Sequence, residues 1–309
     1  AVPLFAYHFL TTGGTTLSAG LEASGADSAN FLNLMKNGDG SNNIVSVISG
    51  LGWGLGYFGM PHILVRFMAV RDEKEMTKSK ATAISWVALS LGFAVFIGTL
   101  GRAYLPELVN GNNEKVFIEM IKKVFTVEMR APFIAGLFLC GILAAIMSTA
   151  DSQLLVSASS VAEDIFKGLL KKDADDKTVM NVSRVTVLVV AVLAYIIAWN
   201  PNNTVMGLVS NAWAGLGAAF GPLVVMSLYW KRTNFPGAVA GIVTGALAVI
   251  IWDYIPLVGG QTLGKATGLY SLVVGFGLGL IAIIAVSLAT KAPSEEMLQE
   301  FEDVKANRL

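Results

Sequence analysis

Hydroxyl residues interrupt a long apolar segment in the middle of the chain. The seventeen uncharged residues 131–147 lead directly into Ser148 and Thr149. Hard cations prefer oxygen ligands, and neutral hydroxyl and carbonyl oxygens suit a monovalent ion that must leave again. Ala145 shares a helical face with Ser148 and offers a carbonyl where the helix is distorted. These three residues predict a Na⁺ site; the alternative is interhelical hydrogen bonding by the two hydroxyls.

A carboxylate follows on the next helical turn. Asp151 and Ser152 lie directly after the hydroxyl pair. An ionisable side chain within a membrane segment is costly and is by default a hypothesis of function. The pair predicts a second position for a cation or proton. The alternative for Asp151 is a water-filled cytoplasmic vestibule.

Glycines are concentrated in a second apolar segment. Residues 50–59 contain five glycines and are followed by Met60 and Pro61. Glycine costs about 1 kcal/mol and proline about 3 kcal/mol inside a helix, so we expect an unwound or kinked helix, the kind that exposes backbone groups to a transported ligand. Trp53 and Tyr57 share one face, which Pro61 continues, and they suit a small amphipathic ligand. Ordinary packing of glycines and aromatics is the alternative.

Composition assigns the chain to the membrane. Of 309 residues, 54% are hydrophobic and only 14% charged, whereas a soluble domain is typically near a quarter charged. The mean hydropathy is +0.63. A net charge of zero gives no indication of nucleic acid binding, and one cysteine with two histidines excludes a disulfide framework or a histidine–cysteine metal cluster.

Eight apolar segments reach or approach the roughly 20 residues of a spanning helix. They are a partial span at 1–16 and full spans near 44–69, 81–105, 131–160, 179–199, 204–229, 236–254 and 269–290. The sequence therefore predicts an all-α polytopic membrane protein. Two features accompany the spans: a predicted bend at Pro222, and a small-residue spacing at Gly237, Gly241 and Gly245 that predicts close helix packing or a dimer contact.

Lysine and arginine predict the orientation of the spans. They are concentrated in the connections 66–80, 167–184 and 230–235, which alternate along the chain as one cytoplasmic face requires. This places the tail, residues 291–309, in the cytoplasm. Residues 106–130 lie on the opposite side and predict an amphipathic helix on the outer surface, because apolar residues recur there at helical spacing.

The first residues are apolar, with neither an initiator methionine nor the basic region of a signal peptide. We therefore expect the chain to be the C-terminal part of a longer protein, beginning within a membrane helix.

Three segments resemble the proline-transporting members of the sodium:solute symporter family. They are GWGLGYFGMPHILVRFMA at 52–69, GILAAIMSTADSQLLV at 141–156 and NAWAGLGAAFGP at 211–222. The likeness covers essentially the whole chain in the same order. It implies a LeuT-like fold, in which two five-helix repeats of inverted topology and further helices enclose a substrate and Na⁺.

The resemblance also implies a division of the chain. Residues 44–229 match the second repeat, residues 1–16 the end of the last helix of the first repeat, residues 236–290 two further helices, and residues 291–309 a cytoplasmic tail. The first helix of the first repeat carries the other half of the Na⁺ site and an essential aspartate. Because that helix is missing, we expect the fragment alone not to transport.

Residue roles follow from the same resemblance. The family's Na⁺ ligands match Ala145, Ser148 and Thr149, and a further Na⁺ of some relatives maps to Asp151 and Ser152.

The substrate-contacting residues of the family match Trp53, Tyr57 and Pro61 in the glycine-rich segment.

The implied activity is Na⁺-coupled import of L-proline through the cytoplasmic membrane, without enzymatic chemistry. Energy would come from the ion gradient, since the sequence has no phosphate-binding loop. Alternatives are another solute of the family, such as pantothenate, a sugar or an osmolyte, and a transporter-like membrane sensor.

Overall fold

The computed structural model describes residues 1–108, 113–200 and 204–306, and it leaves the side chains of Glu73 and Lys74 undescribed. Its helices are α1 (Val2–Thr12), α2 (Leu17–Ala23), α3 (Ser28–Phe31), α4 (Ile44–Gly52), α5 (Pro61–Met68), α6 (Glu73–Tyr104), α7 (Val116–Ile121), α8 (Pro132–Ser159), α9 (Asp176–Ala198), α10 (Val205–Tyr229), α11 (Phe235–Tyr254), α12 (Leu263–Thr267), α13 (Ser271–Ala289) and α14 (Glu295–Lys305). A hairpin of β1 (Pro256–Val258) and β2 (Gln261–Thr262) separates α11 from α12.

Six helices within the described residues are long and apolar enough to cross a membrane: α6, α8, α9, α10, α11 and α13. The bent pair formed by Ile44–Gly59 and Pro61–Met68 raises the number to seven if it counts as one span. The chain is thus a mostly helical, polytopic protein. The helix α1 has 11 residues, fewer than a span needs.

Two spanning helices differ in extent from the predicted segments. The helix α6 begins at Glu73 instead of near 81, because the Asp72 carboxylate accepts the backbone N–H of Glu75 at 2.8 Å and caps its first turn. The helix α8 continues beyond Ser159 as a π-helical segment, Ser160–Leu170.

The glycine-rich segment is broken, as its composition predicted. A 3₁₀ helix, Trp53–Gly59, follows α4, and Met60 is extended (φ −93°, ψ 109°), the conformation that a residue before proline prefers. The chain bends by 57° before α5 begins at Pro61.

The predicted bend at Pro222 does not interrupt α10, which is one helix from Val205 to Tyr229. Proline removes the N–H that would bond to the carbonyl of Ala218, four residues earlier. That carbonyl instead faces Gly245 of α11 and Gly279 of α13, which approach so closely that a Cβ on either would contact it. The neighbouring helices therefore cover the unpaired carbonyl.

The chain divides into two compact units, and the first contains residues 1–41 and 69–204. Its core includes Leu21, Leu100, Ile121 and Phe125, all buried. Of the predicted amphipathic helix at 106–130, residues 109–112 lie outside the described part of the chain. The described part forms two short 3₁₀ helices, Pro106–Leu108 and Asn113–Lys115, followed by α7 and a π-helical segment, Lys122–Glu128. The apolar side of α7 and the π-helical segment packs within this core.

The second unit contains residues 42–68 and the chain from 205 onward. Its core is formed by α10, α11 and α13 around Ala214, Ala218, Leu272 and Phe276. The glycines of α11 are in close contact with this core, as predicted. A Cβ on Gly241, for example, would overlap the side chain of Ile283 in α13.

Candidate functional site

The hydroxyl residues lie in the middle of α8, in the first unit. The Thr149 hydroxyl donates a hydrogen bond to the carbonyl of Ala145 at 3.2 Å, and the Ser152 hydroxyl donates to the carbonyl of Ser148 at 3.0 Å. Each bond joins residues four apart on the same helix. Both bonds therefore lie within α8. They are not the hydrogen bonds between helices that were the alternative to a cation site.

This geometry pairs two candidate cation ligands. Two oxygens 3.2 Å apart can bind one ion if each lies at about 2.4 Å, the range known for hard cations such as Ca²⁺. The Thr149 proton now points at the Ala145 carbonyl, so binding to both oxygens requires the hydroxyl to rotate and donate elsewhere. Hydroxyl protons rotate readily to suit their partners.

The candidate ion ligands lie on an open surface of α8. Ala145, Ser148, Thr149 and Asp151 are all exposed, and Ser152 is half-buried. Their backbone is regular α-helix, so the helical distortion expected at Ala145 is not observed. The deviation from α-geometry begins at Ser160, where the π-helical segment starts.

The aromatic residues of the broken helix belong to a cluster in the second unit. Trp53 stacks against Trp213 of α10, with ring centroids 5.6 Å apart and planes inclined by 13°. It also stacks against Tyr270, at 5.7 Å and 15°. Tyr57 meets Trp213 edge-on at 4.9 Å and 84°. Trp53 and Tyr57 are therefore brought together around one indole.

Backbone hydrogen bonds fix the rings of this cluster. The Trp213 indole N–H donates to the backbone carbonyl of Trp53 at 3.0 Å. Gly56 makes this approach possible, because a Cβ there would overlap the same indole nitrogen. The Tyr270 hydroxyl donates to the carbonyl of Ser210 at 2.7 Å. Tyr57 stays 47% exposed.

Sequence reasoning found part of this cluster. It named Trp53, Tyr57 and Pro61. Pro61 begins α5 beyond the bend and is exposed. Tyr270 was missed, since it follows a loop more than 200 residues from Trp53 and no local pattern connects the two.

Comparison with known proteins identifies the family. The sequence profile described as the sodium:solute symporter family matches residues 3–245. The chain belongs to this family. The resemblance inferred from the three segments is thereby confirmed, and these symporters are multi-pass membrane proteins, as the helices here indicate.

Several curated members of the family are similar over most of this chain. The sodium/proline symporter of Escherichia coli is 45% identical over 271 residues, covering 86% of this chain and 51% of the relative. The high-affinity proline transporter PutP of Bacillus subtilis is 41% identical, covering 84% and 53%. The osmoregulated proline transporter OpuE of the same species is 42% identical, covering 84% and 51%.

The chain thus spans about half the length of the curated relatives that it matches. No solved structure matches it.

Proposed function

We propose that this chain forms the C-terminal half of a Na⁺-coupled symporter that imports L-proline through the cytoplasmic membrane by alternating access. The observation that carries the proposal is the 45% identity over 271 residues to a relative named sodium/proline symporter. Two further relatives, each above 40% identity, are also named as proline transporters.

The architecture that we propose is LeuT-like. Residues 44–229 form the second inverted repeat, whose five spans are the broken helix and α6, α8, α9 and α10. Residues 1–16 end the first repeat, 236–290 hold two further helices, and 291–309 are a cytoplasmic tail. The 57° break in the first span supports this, because discontinuous helices carry the substrate sites of such transporters.

The coupling ion is bound on α8. We assign Na⁺ to the Ala145 carbonyl and to the hydroxyls of Ser148 and Thr149, and a second ion position to Asp151 and Ser152. The 3.2 Å separation of the Ala145 and Thr149 oxygens supports the first assignment. A neutral oxygen site binds Na⁺ weakly enough to release it on the cytoplasmic side.

Proline binds at the broken helix. Trp53 and Tyr57 pack against the pyrrolidine ring, and Pro61 borders the same site beyond the bend. The exposed half of Tyr57 and the fixed indole of Trp53 support this placement. Na⁺ favours the state that binds proline, and by linkage proline raises the affinity for Na⁺ by the same factor.

The test is uptake of radiolabelled L-proline by cells that lack their own proline transporters and express the complete gene. We expect uptake in Na⁺ medium and almost none in choline medium, because the Na⁺ gradient drives accumulation. Excess unlabelled pantothenate, sugar or osmolyte should leave the rate unchanged. Equal rates in both media would refute Na⁺ coupling, and competition by one of these solutes would reassign the substrate.

A further inference from the structure

Tyr270 connects the two elements that carry the stacked indoles of the aromatic cluster. It precedes α13, and its ring stacks on Trp53 with centroids 5.7 Å apart and planes inclined by 15°. Its hydroxyl donates to the backbone carbonyl of Ser210 at 2.7 Å, one turn before Trp213 on α10. Its backbone N–H donates at 3.0 Å to the hydroxyl of Ser49 in α4, one turn before Trp53.

The residues on either side of Tyr270 are themselves anchored to α11. The carbonyl of Leu269 accepts the Trp252 indole N–H at 3.0 Å. The Ser271 hydroxyl donates to the Asp253 carboxylate at 2.5 Å. These hydrogen bonds on both sides fix the backbone position from which Tyr270 stacks on Trp53.

The 3₁₀ segment needs such external support. Three of its seven residues are glycine, and glycine leaves the backbone conformationally free. Short 3₁₀ helices also have weaker hydrogen-bond geometry than α-helices. The orientation of the Trp53 indole is consequently set by the rings and hydrogen bonds around it, in addition to its own backbone.

We propose that Tyr270 is a positioning residue: by stacking on the half-buried Trp53 it fixes which part of that indole can meet the substrate ring, and so determines selectivity for a five-membered cyclic amino acid. This inference rests on the proposed function of the chain as part of a proline symporter. The aromatic face of Tyr270 provides the stack, and its hydroxyl fixes the ring to α10.

The experiment compares Tyr270→Ala and Tyr270→Phe with wild type in Na⁺-driven proline uptake by the complete gene product. Tyr270→Ala removes the stack, and we expect KM for proline to rise about tenfold with kcat changed less than about twofold, since an aromatic pair contributes up to roughly a factor of ten. Tyr270→Phe keeps the stack, and its KM should stay within about threefold of wild type.

Ring-size selectivity separates positioning from general destabilisation. Inhibition of proline uptake by azetidine-2-carboxylate and by pipecolate, which have four- and six-membered rings, gives the relative affinities. We expect Tyr270→Ala to reduce the preference for proline over both, whereas loss of folded protein would lower transport and leave the preference unchanged. The control is Tyr254→Ala, which removes a tyrosine 62% exposed at the end of α11.

If Tyr270→Ala does not reach the membrane, Tyr270→Leu fills the space without an aromatic face and should show the same rise in KM and loss of preference. Wild-type KM and ring preference in whichever variant is folded would overturn the inference. Failure of the wild type to take up proline with Na⁺ would instead refute the proposed function, so the two failures are distinguishable.

Discussion

At the scale of single residues, Thr149 has the most specific proposed role. Its hydroxyl oxygen lies 3.2 Å from the Ala145 carbonyl, and the two would bind one Na⁺ together. Thr149→Val keeps the shape and removes this ligand. A polar contact to a charged group is typically worth 1.5–3 kcal/mol, so we expect the Na⁺ concentration for half-maximal proline uptake to rise about 10- to 100-fold.

Thr186→Val is the matched control for this substitution. Thr186 lies on α9 and donates to the carbonyl of Val182 at 2.9 Å, the same bond to the residue four positions earlier. Its loss should leave the Na⁺ requirement unchanged, because no ion role is assigned to it. Thr149→Ser, which keeps the hydroxyl, should stay close to wild type. A normal Na⁺ requirement in Thr149→Val would remove Thr149 from the site.

At the scale of elements, the 3₁₀ segment depends on one glycine for its contact with α10. A Cβ on Gly56 would overlap the Trp213 indole nitrogen, which donates to the Trp53 carbonyl. We expect Gly56→Ala to reduce stability by about 1–3 kcal/mol, the usual cost of overpacking, and to raise KM for proline. Thermal inactivation of the purified protein and uptake kinetics measure the two effects.

Gly54→Ala provides the comparison within the same segment. Apart from its chain neighbours and the backbone of its own helix, no heavy atom of the described residues lies within 4 Å of the position that a Cβ on Gly54 would take. Alanine there should leave stability equal to or slightly above wild type, since it reduces backbone freedom in the unfolded chain. If both variants behaved alike, backbone flexibility and not the contact with Trp213 would explain the need for glycine.

The same segment illustrates what local sequence can predict. Five glycines in ten residues followed by Met60 and Pro61 predicted the break, because backbone propensity is a property of neighbouring residues. The partners of Trp53 were not predictable in this way. Trp213 and Tyr270 are 160 and 217 residues away, and only the packing of α10 and α13 brings them to the 3₁₀ segment.

The continuation of α8 as a π-helical segment was likewise not predicted, since π-helix has no distinct apolar period in the sequence. The proposed ion site shows the opposite case. Ser148, Thr149 and Asp151 stand out from the sequence alone, because polar groups are rare in an apolar span. The side-chain hydrogen bonds of Thr149 and Ser152, however, depend on rotamers, which a residue pattern does not specify.

At the scale of the whole molecule, the end of α13 is hydrogen-bonded back to the turn between α10 and α11. The Asn234 side chain donates to the hydroxyl of Thr290 at 2.8 Å and to the carbonyl of Lys291 at 2.7 Å. The Arg232 guanidinium donates to the carbonyl of Thr290 at 2.8 Å. These bonds fix the end of α13 and thus the point from which the chain runs on to α14.

An exposed ion pair links α14 to the same turn. The Lys231 ammonium lies 3.0 Å from the Glu302 carboxylate, and this hydrogen bond and charge hold the pKa of Glu302 below its ordinary value. Since the folded-state pKa is the lower one, the stabilisation is present at neutral pH and is lost as pH falls through that pKa.

We expect Glu302→Gln to speed amide hydrogen exchange across residues 295–305, and high salt to do the same in wild type by screening the pair. Glu300→Gln is the control, because Glu300 lies half a turn away on the same helix and outside the ion pair. Its amide exchange should match that of wild type at low salt. Equal exchange in Glu302→Gln and wild type would mean that the apolar side of α14, which includes Phe301, holds the tail without the ion pair.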